Sequence, residues 1–166
     1  MAAVHGCHVV VASGADLAYL VVRAPSDLAG NAGVLAGNAT DSAQDLAGTK
    51  LELAGTARLD HEIACVSIGA VGAEKAPFVA VGLWGDLSVR VLRLPTLDHV
   101  IKQELPQAQV VPRAVLLCDL EGVTYLFCGL GDGHLYTAVF DVARGETRDM
   151  RRVREGKLGE EGLKMG

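Results

Sequence analysis

Two short apolar runs joined by a polar turn form the clearest pattern in the sequence. The runs cover residues 78–83 and 87–94, and a Trp-Gly-Asp turn separates them. Runs of this length, rich in β-branched residues and broken by a Gly/Asp turn, are typical of a β-hairpin. The first run is apolar at nearly every position, which predicts a strand buried on both faces. The second run alternates, with Ser88 and Arg90 on its polar side, which predicts a strand nearer an outer edge.

The hairpin pattern recurs along the chain. A first hairpin is predicted over residues 8–23, and two sets of four strand-sized segments follow it, one on each side of Pro106. The eight segments are residues 63–68, 78–83, 88–94, 100–105, 114–120, 124–130, 134–141 and 147–153. Gly82-Leu83 recurs 47 residues later as Gly129-Leu130. Four short strands per repeat at this spacing predict β-propeller blades.

The sequence therefore predicts an all-β fold, a partial β-propeller of about two and a half blades with four antiparallel strands each. The predicted divisions are a partial blade at 1–23, an insertion at 24–57, blades at 58–105 and 106–153, and a flexible tail at 154–166. Leu-Ala-Gly recurs through the insertion between polar residues, which predicts a disordered, low-complexity surface loop. A short outer strand at residues 50–53 is the alternative for its last part.

The predicted blade number is too small to close a ring. Propellers have about four to eight blades, and an unclosed one leaves apolar surface and strand edges uncovered. We therefore expect the chain to be a fragment of a longer protein, or to associate through its open sides. Other blades or propellers of a longer chain are the first partners that this predicts.

Composition narrows the functional classes. The net charge of −5 gives no overall field for attracting nucleic acid, and no apolar stretch is long enough to cross a bilayer. The four cysteines have no Cys-x-x-Cys spacing, and three of them lie in strand-like runs. They are predicted to be reduced core residues of a cytosolic or nuclear protein.

No motif predicts catalytic residues, a cofactor site or a metal site. The Gly-Asp-Gly segment at 131–133 joins two strands and lacks the Lys of a phosphate-binding loop. Asp-His-Glu at 60–62 resembles the start of a zinc-protease motif, but Cys65 stands where the second His is needed. The arginines between 148 and 154 fit a solvated outer strand better than a phosphate contact. His and Cys residues at 5–8 are assigned to a loose N-terminus.

Trp84 and Glu62 are the candidate interaction residues. Trp84 lies in the turn after the second strand of its blade, and Glu62 precedes the first strand. In a blade of alternating strands these two points lie at the same end, so both side chains are predicted to emerge on one rim. An exposed Trp often anchors a protein interface. The alternative is a Trp packed against a neighbouring blade.

Several segments resemble one protein family. The segments are His61-Glu62-Ile63-Ala64-Cys65, Gly82-Leu83-Trp84-Gly85-Asp86-Leu87-Ser88, Leu92-Arg93-Leu94-Pro95, Val111-Pro112-Arg113 and Leu130-Gly131-Asp132-Gly133. In order and spacing they resemble the triple-propeller scaffolds to which the large subunit of the UV-damaged-DNA-binding complex belongs. Subunits of the splicing branch-point complex and of the cleavage-and-polyadenylation factor share this fold.

The resemblance implies a role. It places these blades in the second propeller, which in the damage-binding member docks the cullin scaffold of a ubiquitin ligase. There, the cullin-facing surface includes a Glu and a Trp at the positions of Glu62 and Trp84. The function implied is a non-enzymatic adaptor in DNA repair, located in the nucleus and possibly the cytoplasm, that meets nucleic acid only through its complex. The alternative is a propeller subunit of an RNA-processing complex.

Overall fold

The computed structural model describes residues 1–23, 50–106 and 108–154, and every regular element in these ranges is a β-strand. The strands are β1 (Ala2–His5), β2 (His8–Ser13), β3 (Asp16–Arg23), β4 (Lys50–Arg58), β5 (Ile63–Val71), β6 (Ala76–Leu83), β7 (Ser88–Arg93), β8 (Asp98–Glu104), β9 (Pro112–Leu120), β10 (Val123–Leu130), β11 (His134–Asp141) and β12 (Glu146–Arg154). Within the described part of the chain, no helix is present that could cross a membrane.

The strands form three sheets of four, each made of strands consecutive in sequence. The sheet orders are β1-β2-β3-β4, β5-β6-β7-β8 and β9-β10-β11-β12, with antiparallel neighbours throughout. The first strand of the second sheet, β5, packs against β1 on one side and β9 on the other. The sheets are therefore successive blades, called blades one, two and three below. The predicted partial β-propeller is confirmed.

The core consists of two apolar layers, one between each pair of neighbouring blades. Successive side chains of β6 point alternately into the two layers. Val79 and Val81 pack in the layer shared with blade one, whereas Phe78 and Ala80 pack in the layer shared with blade three. The Phe78 ring meets Phe140 of blade three edge to face, with 5.7 Å between the ring centroids. Blade two is thus buried on both faces, as its nearly continuous apolar run predicts.

Glycine lets blade three approach blade two closely. A Cβ atom on Gly69 would lie 2.5 Å from the backbone oxygen of Leu117, and one on Gly82 would lie 2.6 Å from both Cys65 Sγ and Pro112 Cβ. These distances are far below ordinary van der Waals contact. The few aromatic side chains of this protein therefore suffice, because the inner strands lie close together.

The expectation that β7 lies near an outer edge with an exposed polar face is wrong. Ser88 is fully buried and Arg90 is only 9% exposed. The cause is Asp86 in the preceding turn, whose carboxylate accepts hydrogen bonds from both side chains. Buried polar groups are tolerated where such partners are present.

Blade one is more complete than predicted. Residues 8–23 form the expected hairpin, but β1 and β4 extend it to four strands. The N-terminus is not loose, because the Met1 ammonium group donates a hydrogen bond to the Ala12 carbonyl at 2.8 Å. Strand β4 occupies the last part of the range 24–57 that was assigned to the insertion, because its backbone pairs with β3 from Lys50 to Arg58. The rest of that range, and the tail from 155, lie outside the described residues.

The four cysteines are free thiols. Cys65 and Cys128 are buried between blades two and three, Cys118 is partly buried and Cys7 is exposed. Burial raises the pKa of Cys65 to about 11 and that of Cys128 to about 12. Both thiols therefore stay protonated at neutral pH and pack as small apolar groups.

Gly69→Ala is expected to destabilise the protein by about 1–3 kcal/mol, since the new methyl group would overlap the Leu117 carbonyl and push blades two and three apart. Urea denaturation followed by circular dichroism measures the loss. The matched control is Gly129→Ala, whose Cβ would meet Ala114 at an ordinary 3.8 Å. Equal midpoints for the two variants would contradict the close packing described here.

Candidate protein-interaction site

The structure brings Trp84 and Glu62 together at one end of blade two. Strand β6 ends just before Trp84 and β5 begins just after Glu62, and the Trp84 N–H donates to the Glu62 carbonyl at 2.9 Å. Pairing of Ile63 with Leu83 fixes this register. The two residues therefore share a rim, where their positions in sequence place them. Their role in an interface stays a prediction.

The Trp84 side chain is both exposed and supported. It is 47% exposed, and the guanidinium carbon of Arg113 lies 5.9 Å from the centre of its ring. Arg113 belongs to β9 of blade three, so a cation–π contact connects two blades at this rim. Trp84 thus has features of both interpretations of the sequence, the exposed residue on a rim and the residue packed against a neighbouring blade. The indole contacts a neighbouring blade and still presents apolar surface to solvent.

His61 packs directly on the turn that carries Trp84. A Cβ atom on Gly85 would lie 2.2 Å from His61 Nδ1, so any side chain there would displace the imidazole. His61, Glu62, Trp84 and Arg113 are the side chains of what we call the rim cluster. It combines an indole, an imidazole, one carboxylate and one guanidinium group on adjoining surface. Such a mixture can bind an apolar side chain with polar neighbours.

The Asp86 carboxylate anchors the turn between β6 and β7 that carries Trp84. It accepts hydrogen bonds from the Ser88 hydroxyl at 2.6 Å and from Arg90 at 3.1 Å. Lys102 of β8 reaches the same carboxylate at 2.9 Å. A second carboxylate, that of Asp60, lies 3.5 Å from Arg90. The turn that presents Trp84 is therefore tied to β7, β8 and the segment before β5.

The hydrogen bonds at Asp86 change its acidity. Burial alone would raise the pKa of this carboxyl, but hydrogen bonds from Ser88, Lys102 and Arg90 outweigh burial and hold the pKa well below its usual range. The Asp86 carboxyl group is therefore ionised at neutral pH. Its negative charge compensates the positive charge of the buried Arg90 side chain.

Sequence reasoning missed this support. Asp86, Ser88 and Arg90 are spaced two apart, which places polar side chains on one face of an otherwise apolar strand. That spacing was interpreted as a solvated face, although a carboxylate beside a hydroxyl and a guanidinium is also the pattern of a buried, paired network. Arg113 carries no comparable signal, because its contact with Trp84 depends on how two blades pack.

The structure also gives the positions of the other motifs considered in the sequence. Among the described residues, no group of three or more His, Cys, Asp or Glu side chains is arranged to hold a metal ion. The segment at 131–133 is a turn between β10 and β11. Arg148, Arg151 and Arg152 are exposed on β12, the outermost strand of blade three. Arg152 also lies over the Tyr136 ring, at 5.8 Å from its centre.

The fold and the rim together define a class of protein. Three consecutive four-stranded blades are a segment of a β-propeller, and an exposed Trp lies on one of its rims. Comparison with known families makes this specific. Residues 7–158 match the family described as the RSE1/DDB1/CPSF1 second beta-propeller, and the chain belongs to this family.

Individual relatives point to one branch of that family. The chain is 46% identical over 101 residues to DNA damage-binding protein 1 of Oryza sativa subsp. japonica, a match that covers 60% of the chain. It is 42% identical over 100 residues to DNA damage-binding protein 1b of Arabidopsis thaliana, and 37% identical over 100 residues to DNA damage-binding protein 1 of Drosophila melanogaster, each match covering 59% of the chain. Each match spans 9% of the relative's length.

Asp86→Asn is expected to lower the stability at neutral pH by on the order of 1 kcal/mol and to make the loss of stability in acid shallower. Because the folded-state pKa of Asp86 is depressed, its contribution is complete above the unfolded pKa of about 4 and disappears as the pH falls below that value. Urea midpoints measured from neutral pH into acid test this.

The control for this prediction is Asp16→Asn, which removes an exposed ion pair with Arg58. Exposed ion pairs contribute little to stability, so the free energy of unfolding of this variant should stay within about 0.5 kcal/mol of the native value at each pH. An Asp86→Asn variant with the same acid profile as the native protein would show that the Asp86 network is not stabilising.

Proposed function

We propose that the chain is a non-enzymatic adaptor segment whose rim cluster docks the cullin scaffold of a ubiquitin ligase acting in DNA repair. The observation that carries the proposal is the position of Trp84, an exposed indole held beside Glu62 on one propeller rim. Membership in the second-propeller family supports a scaffold role, and the relatives named as DNA damage-binding proteins favour repair over RNA processing.

The geometry of the rim suits a rigid protein partner. Arg113 lies over the Trp84 ring, and the Asp86 carboxylate anchors the turn that carries it. A preorganised aromatic anchor loses little conformational entropy on binding. Glu62 and Arg113 supply opposite charges beside it, which can fix the orientation of a partner that presents complementary groups. We infer that the indole enters an apolar pocket on the cullin scaffold.

Under the proposed function, this segment brings proteins together and performs no reaction itself. Arg152, one of the exposed arginines on β12, lies 3.7 Å from the Asp132 carboxylate, so its positive charge is partly balanced there. Contact with damaged DNA then belongs to other parts of the complex. The proposed location is the nucleus, and possibly also the cytoplasm.

Trp84→Ala is expected to weaken binding to a purified cullin N-terminal region by about tenfold or more, as truncation of a central anchor does. Glu62→Ala should weaken it less, because a rim charge contributes mainly to orientation and association rate. Biolayer interferometry with the immobilised 166-residue chain measures both affinities, and circular dichroism confirms that each variant is folded.

Leu120→Ala is the matched control. Leu120 is 50% exposed, close to the value for Trp84, and it lies at the far end of β9, away from the rim cluster. Its affinity should equal that of the native chain. Equal losses in all three variants would mean that binding is not located at the rim. Failure of the folded native chain to bind at all would overturn cullin docking by this segment.

A further inference from the structure

A groove opens at the junction of blades two and three, on the rim opposite the rim cluster. Pairing of Ile63 with Leu83 places the rim cluster at one end of β5 and β6, whereas the turn at 72–75 joins these strands at their other end. The groove has a volume of about 550 Å³, which is within the range of ligand pockets. Both of its walls come from blades that the structure describes.

The lining of the groove is mostly apolar. Val71, Ala76 and Phe78 line it from blade two, and Val142 and Ala143 line it from blade three. Val71 and Phe78 are buried, Ala76 and Val142 are half-buried, and Ala143 is exposed. Burial thus increases from the mouth of the groove to its floor, as in a site that takes up an apolar side chain.

Asp119 of β9 holds the turn that forms one wall of the groove. Its carboxylate accepts hydrogen bonds from the Gly72 N–H at 3.2 Å and from the Thr124 hydroxyl at 2.6 Å. The same carboxylate pairs with the Lys75 ammonium group. Contacts from blade three therefore fix the turn at 72–75, so the groove is preorganised for a ligand.

Arg93 supplies hydrogen-bond donors at the mouth of the groove. Its guanidinium carbon lies 5.7 Å from the centre of the Phe78 ring, so the group lies over an aromatic side chain. Arg93 is exposed, and its side chain forms no ion pair or hydrogen bond with any residue that the structure describes. The N–H groups at the edge of the guanidinium are therefore available to a planar carboxylate, which they can bind through two hydrogen bonds.

The groove continues beyond Arg93 along the outer strand of blade two. This second stretch has a volume of about 270 Å³, and it is lined by residues 98–100 of β8 and by the turn at 143–145 of blade three. Arg93 and Ala143 line both stretches, so the two form one elongated groove. Its shape fits an extended peptide better than a compact small molecule.

The charges along the groove favour a negative group at its centre. Asp98 and Arg144, which have opposite charges, line only the second stretch, and Glu74 lines only the first. Arg93 lies where the two stretches meet. A peptide that spans both stretches therefore meets a positive charge beside the apolar lining, which selects for a carboxylate at that point.

We propose that this groove binds an extended peptide segment of a partner protein, in which an acidic residue lies two positions from a leucine or another aliphatic residue. Side chains two positions apart in an extended chain point to the same side. The aliphatic side chain enters the apolar stretch between Val71 and Val142, and the carboxylate accepts hydrogen bonds from Arg93. This partner and a cullin on the rim cluster occupy opposite rims, so both can be bound at once.

Two synthetic peptides that differ in one functional group test the proposal. They are acetyl-Gly-Leu-Ser-Glu-Gly-amide and the same peptide with Gln in place of Glu. Each is titrated into the isotopically labelled 166-residue chain, and shifts of backbone amides in NMR spectra locate the site. The Glu peptide should shift amides at 72–75 and 142–145 with a Kd on the order of 1 mM. The Gln peptide should bind about fivefold more weakly, which is the scale of an exposed ion pair.

Three variants assign the preference to Arg93. Arg93→Gln should bind both peptides equally and weakly, whereas Arg93→Lys keeps the charge without the planar fork and should retain part of the preference for Glu. Arg148→Gln is the matched control, because it removes an exposed arginine of β12 that does not line the groove. It should keep the fivefold difference. Circular dichroism confirms that each variant is folded.

Ala143→Glu tests the same site with Arg93 intact. Ala143 is exposed, so the variant can fold, and its new carboxylate should weaken binding of the Glu peptide more than that of the Gln peptide. Equal binding of the two peptides by the native chain, or a preference for Glu that persists in Arg93→Gln, would overturn the proposal. Shifts confined to amides outside the groove would also contradict it. Acetyl-glutamate amide that binds as tightly as the peptide would indicate a site for a small acid instead.

Discussion

Apolar contact between neighbouring blades is the main stabilising interaction in this fold. A four-stranded blade has two apolar faces and no core of its own, so every blade is stabilised by the blades beside it. Blade two satisfies this condition completely, with Val79 and Phe78 buried on opposite sides. Gly69 and Gly82 allow the inner strands to approach closely enough to bury them. Within the described residues, blades one and three pack against a neighbouring blade on one face, and their other faces carry exposed leucines and valines.

The interaction site is a consequence of the same packing. Trp84 stands on a turn that belongs to blade two, whereas the Arg113 side chain that supports it comes from blade three. Below the turn, Asp86 compensates the charge of Arg90, a residue buried because β8 covers the outer side of β7. The junction between blades two and three therefore determines how the indole is presented. A variant that loosens this junction would disturb the rim without altering any residue of it.

Strand order and blade architecture were predictable from the sequence, because turn residues and short apolar runs recur at a fixed spacing. The shared rim of Glu62 and Trp84 followed from the same regularity, since alternating strands return to the same end. The burial of Ser88 and Arg90 was not predictable, because it depends on the Asp86 carboxylate and on a strand later in the chain. A strand at residues 50–53 was the alternative prediction, and β4 extends from Lys50 to Arg58. Its full length was not predictable, because most of its residues are exposed and its pairing with β3 leaves no hydrophobic pattern.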